Sequence, residues 1–221
     1  TFLTVAIKAK ALLEDRYSQF ILVALLIYMG YHQGDIFAVR QSLALSIILF
    51  SGKYIIDRKL IPFLICIVAA SMFHNSSPIF LLAYPIAAIR WKTKIVFFIL
   101  ILSSFAGYLM TSLNLFDWVT MLPGLTDDAQ DKLDTYSALS AKGIDATGTS
   151  KNVDPRIAFI SGLLRKIVVL APLLIFRKKL AEKYDFFPYL FNIIIFGAIF
   201  YLTFGSLMQV LKRAASYYDI F

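Results

Sequence analysis

Seven apolar runs of 12–25 residues, preceded by one of seven, follow one another along this chain, separated by polar segments, and the longest reach 19–25 residues. That is the length an α-helix needs to cross a hydrocarbon core about 30 Å thick. The runs are Thr1–Ile7, Tyr17–Gly30, Phe37–Phe50, Leu60–Phe73, Pro78–Ile89, Ile95–Leu113, Ile157–Phe176 and Phe186–Val210. Several lie near the short limit and are expected to extend into flanking polar residues. The composition agrees: 59% of the 221 residues are hydrophobic and only 16% charged, where soluble chains average about 25% charged. The expected fold is therefore all-α: a polytopic helical membrane protein with about eight transmembrane segments, forming a single transmembrane domain over residues 1–221. Ser77-Pro78 and Asp154-Pro155 each place a capping side chain before a proline at a first helical position. The chain opens inside a hydrophobic run without an initiator Met, so a truncated piece of a larger protein is expected. Its one cysteine, Cys66, leaves no disulfide to form.

Lysine and arginine orient the runs. Lys8, Lys10 and Arg16 form one cluster, Lys53, Arg58 and Lys59 a second, Arg90, Lys92 and Lys94 a third, and Arg177, Lys178, Lys179 and Lys183 a fourth. They fall at alternate ends of successive runs, as cytoplasmic ends do under the positive-inside rule. Most of the +8 net charge is thereby explained by topology, and no aromatic–basic pattern points to nucleic acid. The long segment between Asn114 and Asp154 falls on the opposite, outer side. It carries seven aspartates and three lysines. Thr126–Leu139 is compatible with a short amphipathic helix bearing Leu133, Tyr136 and Leu139 on one face, and Gly143–Asn152 reads as a mobile loop. A connection of about 40 residues far exceeds the usual length, and such loops often act as lids or binding segments.

Some charges are not needed for topology. Arg40 lies inside a run, roughly 8 Å below the outer boundary at Asp35. Arg165 and Lys166 lie roughly 15 Å into the helix that starts at Pro155, and Lys212 and Arg213 sit at the outer end of the last run, in an amphipathic, interfacial stretch. Burying a guanidinium in a bilayer costs at least about 2.5–3.5 kcal/mol, so it normally faces a cavity or a partner. All these cations belong to the outer half of the bilayer, where Asp35 and the loop acids are the carboxylates on offer. An outward-opening cationic cavity for an anion is expected, and the planar fork of arginine suits a phosphate. Snorkelling, or a structural pair with Asp35, is the plainer account of Arg40. His74 and Asn75 stand at the outer mouth of another helix, where a histidine can exchange a proton near neutral pH. Gln41 points about 100° away from Arg40. No nucleotide-binding, zinc or serine-nucleophile motif occurs.

Two stretches carry a family resemblance. Ala38-Val39-Arg40-Gln41-Ser42-Leu43-Ala44-Leu45 and Ser71-Met72-Phe73-His74-Asn75-Ser76-Ser77-Pro78-Ile79-Phe80 resemble the EpsG family, which contains Wzy-type O-antigen and exopolysaccharide polymerases. Its members carry an Arg-Gln pair followed by small and apolar residues in one helix, and Phe-His followed by small residues at the end of the next. Lys212-Arg213-Ala214-Ala215-Ser216-Tyr217-Tyr218 is similar to the family's late arginine–tyrosine segment. The resemblance implies a multi-pass enzyme of the bacterial inner membrane that joins oligosaccharide repeat units carried on polyprenyl diphosphate, at the periplasmic face.

Arg40, His74 and Arg213 match the patterned positions, and Arg165 joins them as a catalytic candidate from its depth. Gln41, Asn75, Tyr136, Lys166 and Lys212 are the expected substrate contacts, and no metal or cofactor is expected. His74 is the first candidate for a general base, ahead of Asp117 or Asp128 in the loop. The expected partners are lipid-linked donor and acceptor, the bilayer, a chain-length regulator and a flippase. A flippase or exporter of lipid-linked saccharide or polysaccharide is the competing reading, since a cationic cavity also holds a diphosphate in transit. A transporter places its site near the midplane, whereas these cations favour one side.

Overall fold

The computed structural model describes residues 2–12, 39–113, 155–205 and 209–219. The described residues form helices and the turns between them, with no strand among them. They fall into two compact units, one comprising Thr1–Ile89 with Ile220–Phe221 and the other Arg90–Asp219.

In the first unit, α1 (Phe2–Leu12) and α2 (Val39–Ile56) pack together, and α3 (Leu60–Ser71) packs on α2. A 3-10 segment, Ser77–Leu82, leads into the short α4 (Ala83–Ala87), and both lie against α2. The buried face of α2 is built from Ser42, Ala44, Ser46, Ile48, Ser51, Gly52 and Ile55. Small residues let neighbouring backbones approach, and close packing is what holds helices together where lipid removes the hydrophobic drive. The Ser46 hydroxyl donates to the Ser42 carbonyl at 2.7 Å, so this polar group is satisfied within its own helix.

The second unit is built from α5 (Thr93–Ser112), α6 (Pro155–Ile175), α7 (Arg177–Lys183), α8 (Phe187–Phe204) and α9 (Gln209–Asp219). Val96, Leu170, Phe187, Phe191, Ile195 and Ala198 form the buried core near one end. At the other end, Tyr108 of α5 meets Phe159 of α6, with ring centroids 6.3 Å apart.

The basic clusters gather at one end of each unit. Lys10 and Lys53 both lie over the Phe50 ring, at 5.6 and 3.9 Å from its centroid. Arg58 donates to the Tyr84 carbonyl at 2.9 Å and lies over the Tyr84 ring. In the second unit, Arg177 donates to the Trp91 carbonyl at 2.6 Å and the Thr93 hydroxyl at 2.9 Å. It also covers the Phe191 ring, and partial burial lowers its pKa from the usual range. Within each unit, positive charge that is distant in sequence thus meets at one end, as the positive-inside rule leads one to expect.

Four of the described helices are long and apolar enough to cross a membrane: Val39–Ile56, Thr93–Ser112, Arg156–Ile175 and Phe187–Phe204. That is fewer than the eight apolar runs. The Leu60–Phe73 run yields a 12-residue helix of roughly 18 Å, and Pro78–Ile89 yields a 3-10 segment and a five-residue helix. The first run is an 11-residue helix, and the second lies outside the described residues, as does the 114–154 loop. Pro155 opens α6 as expected. Ser77 does not cap forward: its hydroxyl donates back to the carbonyls of His74 (2.6 Å) and Ala70 (3.2 Å), tying the turn to the end of α3.

Candidate functional site

In the second unit, a charged cluster forms where α6, α8 and α9 meet. Lys166 and Arg165 are consecutive on α6, so they diverge by about 100° around the helix. Lys166 is half-buried and Arg165 exposed. The Lys166 ammonium donates to the Asp219 carboxylate at 2.5 Å and lies 4.7 Å from the centre of the Tyr201 ring. The two charged side chains are 16% and 23% exposed, dry enough for the attraction to be much stronger than at an open surface. Gly162, one turn before Lys166, leaves room for the Tyr201 hydroxyl, which would stand 2.5 Å from a Cβ there.

Asp219 arrives in this cluster because α9 folds back along α8. Tyr218 packs edge-on against Phe196, with centroids 4.9 Å apart, and Gly197 is seven residues before the end of α8, roughly 10 Å down the helix. Ala214, Ala215, Tyr217 and Tyr218 are buried. The amphipathic stretch is thus a helix docked in the unit by its small and aromatic face. The sequence reading made it an interfacial segment. Lys212 and Arg213 lie within α9, seven and six residues before Asp219.

In the first unit, Arg40 is exposed in the first described turn of α2, and Gln41 beside it is half-buried. Helices α2 and α3 are packed neighbours joined by the short turn Asp57–Lys59. Counting roughly 1.5 Å per residue back along each, the turn that begins at His74 stands level with Gln41 and Ser42. The backbone N–H of His74 donates to the Ala70 carbonyl at 3.1 Å; its side chain is half-buried and that of Asn75 exposed. The fold therefore brings the Arg-Gln and His-Asn stretches to one end of this unit. Tyr136 and the loop aspartates lie outside the described residues.

Asp219, Tyr201 and Gly162 were missed by sequence reasoning, which counted only Asp35 and loop acids as outer carboxylates. The available signal was helical register: Asp219 follows Lys212 by seven residues, two turns of one face. Among the described residues, no three His, Cys, Asp or Glu side chains gather as they would around a metal ion.

Long apolar helices, basic ends and charged groups held between helices define a multi-pass helical membrane protein. The chain belongs to the EpsG family, whose model matches residues 1–221. No curated protein and no solved structure matches it significantly. Membership supports a polymerase-like role of the Wzy type, in O-antigen or exopolysaccharide assembly.

Proposed function

We propose that this protein polymerises polyprenyl-diphosphate-linked oligosaccharide repeat units by glycosyl transfer at the periplasmic face of the bacterial inner membrane. The family match over the whole chain carries this reading. Cations placed where lipid makes them costly are consistent with it. The chain would contribute about eight crossings as one transmembrane domain, with the 114–154 loop on the periplasmic side, and would work beside a flippase and a chain-length regulator.

An acceptor hydroxyl attacks the anomeric carbon of the donor. A new C–O bond forms, the bond to the lipid diphosphate breaks, and the diphosphate leaves with the electron pair. His74 takes the hydroxyl proton. Arg40, Arg165 and Arg213 are each assigned to a phosphate of the lipid-linked substrates, and contacts that strengthen as charge grows on the departing diphosphate lower the barrier. Gln41, Asn75, Tyr136 and Lys212 are assigned to the saccharides and headgroup. Lys166, with its charge matched by Asp219, acts through that partner.

The test uses purified protein in nanodiscs with synthetic lipid-linked repeat units, measuring donor binding and product separately. Arg40→Ala and Arg165→Ala are each expected to reduce turnover by about a hundredfold, with Arg40→Lys in between because it keeps charge but loses the fork. Wild-type rates in folded, inserted Arg40→Ala and Arg165→Ala would leave both arginines structural. Donor binding without product, in the unaltered protein, would favour a transporter.

A further inference from the structure

We infer that the Lys166–Asp219 ion pair is a latch that holds α9 folded back along α8, and that it thereby positions Lys212 and Arg213. Both members are positioning residues. Only the last step, from α9 position to donor binding, rests on the polymerase reading.

What holds a short helix against its neighbours in a bilayer is packing and polar contact. Lipid tails are as apolar as Leu or Phe, so the buried alanines of α9 gain little hydrophobic stabilisation by facing protein instead of lipid. The close fit of α9 to Phe196 and Gly197 selects a geometry through van der Waals packing. The ion pair is different. Once α9 leaves, Asp219 and Lys166 each become a lone charge in a poorly hydrated place, which is far worse than the paired state. The contact is short, at 2.5 Å, and largely enclosed. Tyr201 covers the ammonium from the α8 side at 4.7 Å, so all three helices converge on one charge pair.

The latch also explains the division of labour on α6. Of two consecutive cations, Lys166 is half-buried with its partner and Arg165 is exposed. Because α9 is an uninterrupted helix from Gln209 to Asp219, anchoring its last residue sets the place of Lys212 and Arg213 roughly 10 Å away.

Nitroxides at Lys183→Cys and Leu211→Cys, on a Cys66→Ser background in nanodiscs, measure the place of α9 against α7 by pulsed electron resonance. A second pair, Lys183→Cys with Leu113→Cys, reports on the rest of the unit. We expect one narrow distance for the first pair, broadened in Lys166→Met and in Asp219→Asn, and restored in the exchanged Lys166→Asp/Asp219→Lys protein. The second pair should stay unchanged throughout. Unchanged first-pair distances in both single variants overturn the latch, as does broadening of both pairs together. In polymerisation assays the single variants should raise donor KM about tenfold with a smaller effect on kcat, again restored by exchange. The distance measurement needs no substrate, so it decides the latch even if the unaltered protein fails to polymerise, a result that would remove only the polymerase reading.

Discussion

Tyr218 closes over Gly197 so tightly that a Cβ built on that glycine would stand 2.5 Å from the Tyr218 Cβ. The ring beyond it is wholly buried. The absence of a side chain at position 197 is what lets α9 lie along α8 at this depth. The same device brings α5 against α8, where a Cβ on Gly107 would fall 1.8 Å from the Leu202 carbonyl oxygen.

Gly107→Ala should be the most damaging alanine substitution at these contacts, because the obstacle is backbone and cannot swing aside. Overpacking of this kind costs about 1–3 kcal/mol, and the Gly107 variant is expected at the upper end. Gly162→Ala should be milder, since it meets the far end of the Tyr201 side chain and not backbone. Thermal unfolding of the purified variants gives the order; equal midpoints for Gly107→Ala and Gly162→Ala would contradict it.

Arg58 holds a left-handed backbone, φ 57°, while its guanidinium clasps Tyr84. Arg58→Gly and Arg58→Ala both lose the clasp, but only glycine relieves the backbone, which costs about 1–2 kcal/mol for a residue with a Cβ. Arg58→Gly should therefore be the more stable of the two by about 1 kcal/mol. Denaturant titration of both variants would show it; an Arg58→Ala protein at least as stable would mean the turn relaxes.

The basic ends should be cytoplasmic and the 114–154 loop periplasmic. On a Cys66→Ser background, an impermeant thiol reagent applied to intact spheroplasts should label a cysteine at position 148 and spare one at Lys92. The reverse pattern would invert the topology.

The loop is expected to shield the reacting carbon from water, which would otherwise hydrolyse the donor. Deleting residues 143–150 should shorten the polymer or lower its yield by about tenfold, with membrane insertion retained. Normal chain lengths from the deleted protein would make the loop a bystander.

Helix identity was largely legible because it is local. The runs Ile95–Leu113 and Ile157–Phe176 become Thr93–Ser112 and Pro155–Ile175, since a long apolar stretch has few ways to satisfy its backbone in lipid other than as a helix. The basic clusters were legible for a similar reason: each charge seeks water on its own account. The family-patterned positions Arg40, His74 and Arg213 could be named from short motifs, and that Arg40 and His74 come to one end follows from two neighbouring helices and a tight turn.

The last run shows where local information stops. Phe186–Val210 reads as one apolar block, but α8 ends at Phe204 and α9 begins at Gln209, and hydropathy along the sequence does not register a change in chain direction. Asp219 then meets Lys166 from 53 positions away. Composition and periodicity determined that this chain is a set of membrane helices with basic clusters at their ends. Which cation acquires a carboxylate was decided by tertiary structure alone, because an ion pair depends on a distance of a few ångströms between helices, and that distance is set by how α9 packs on α8.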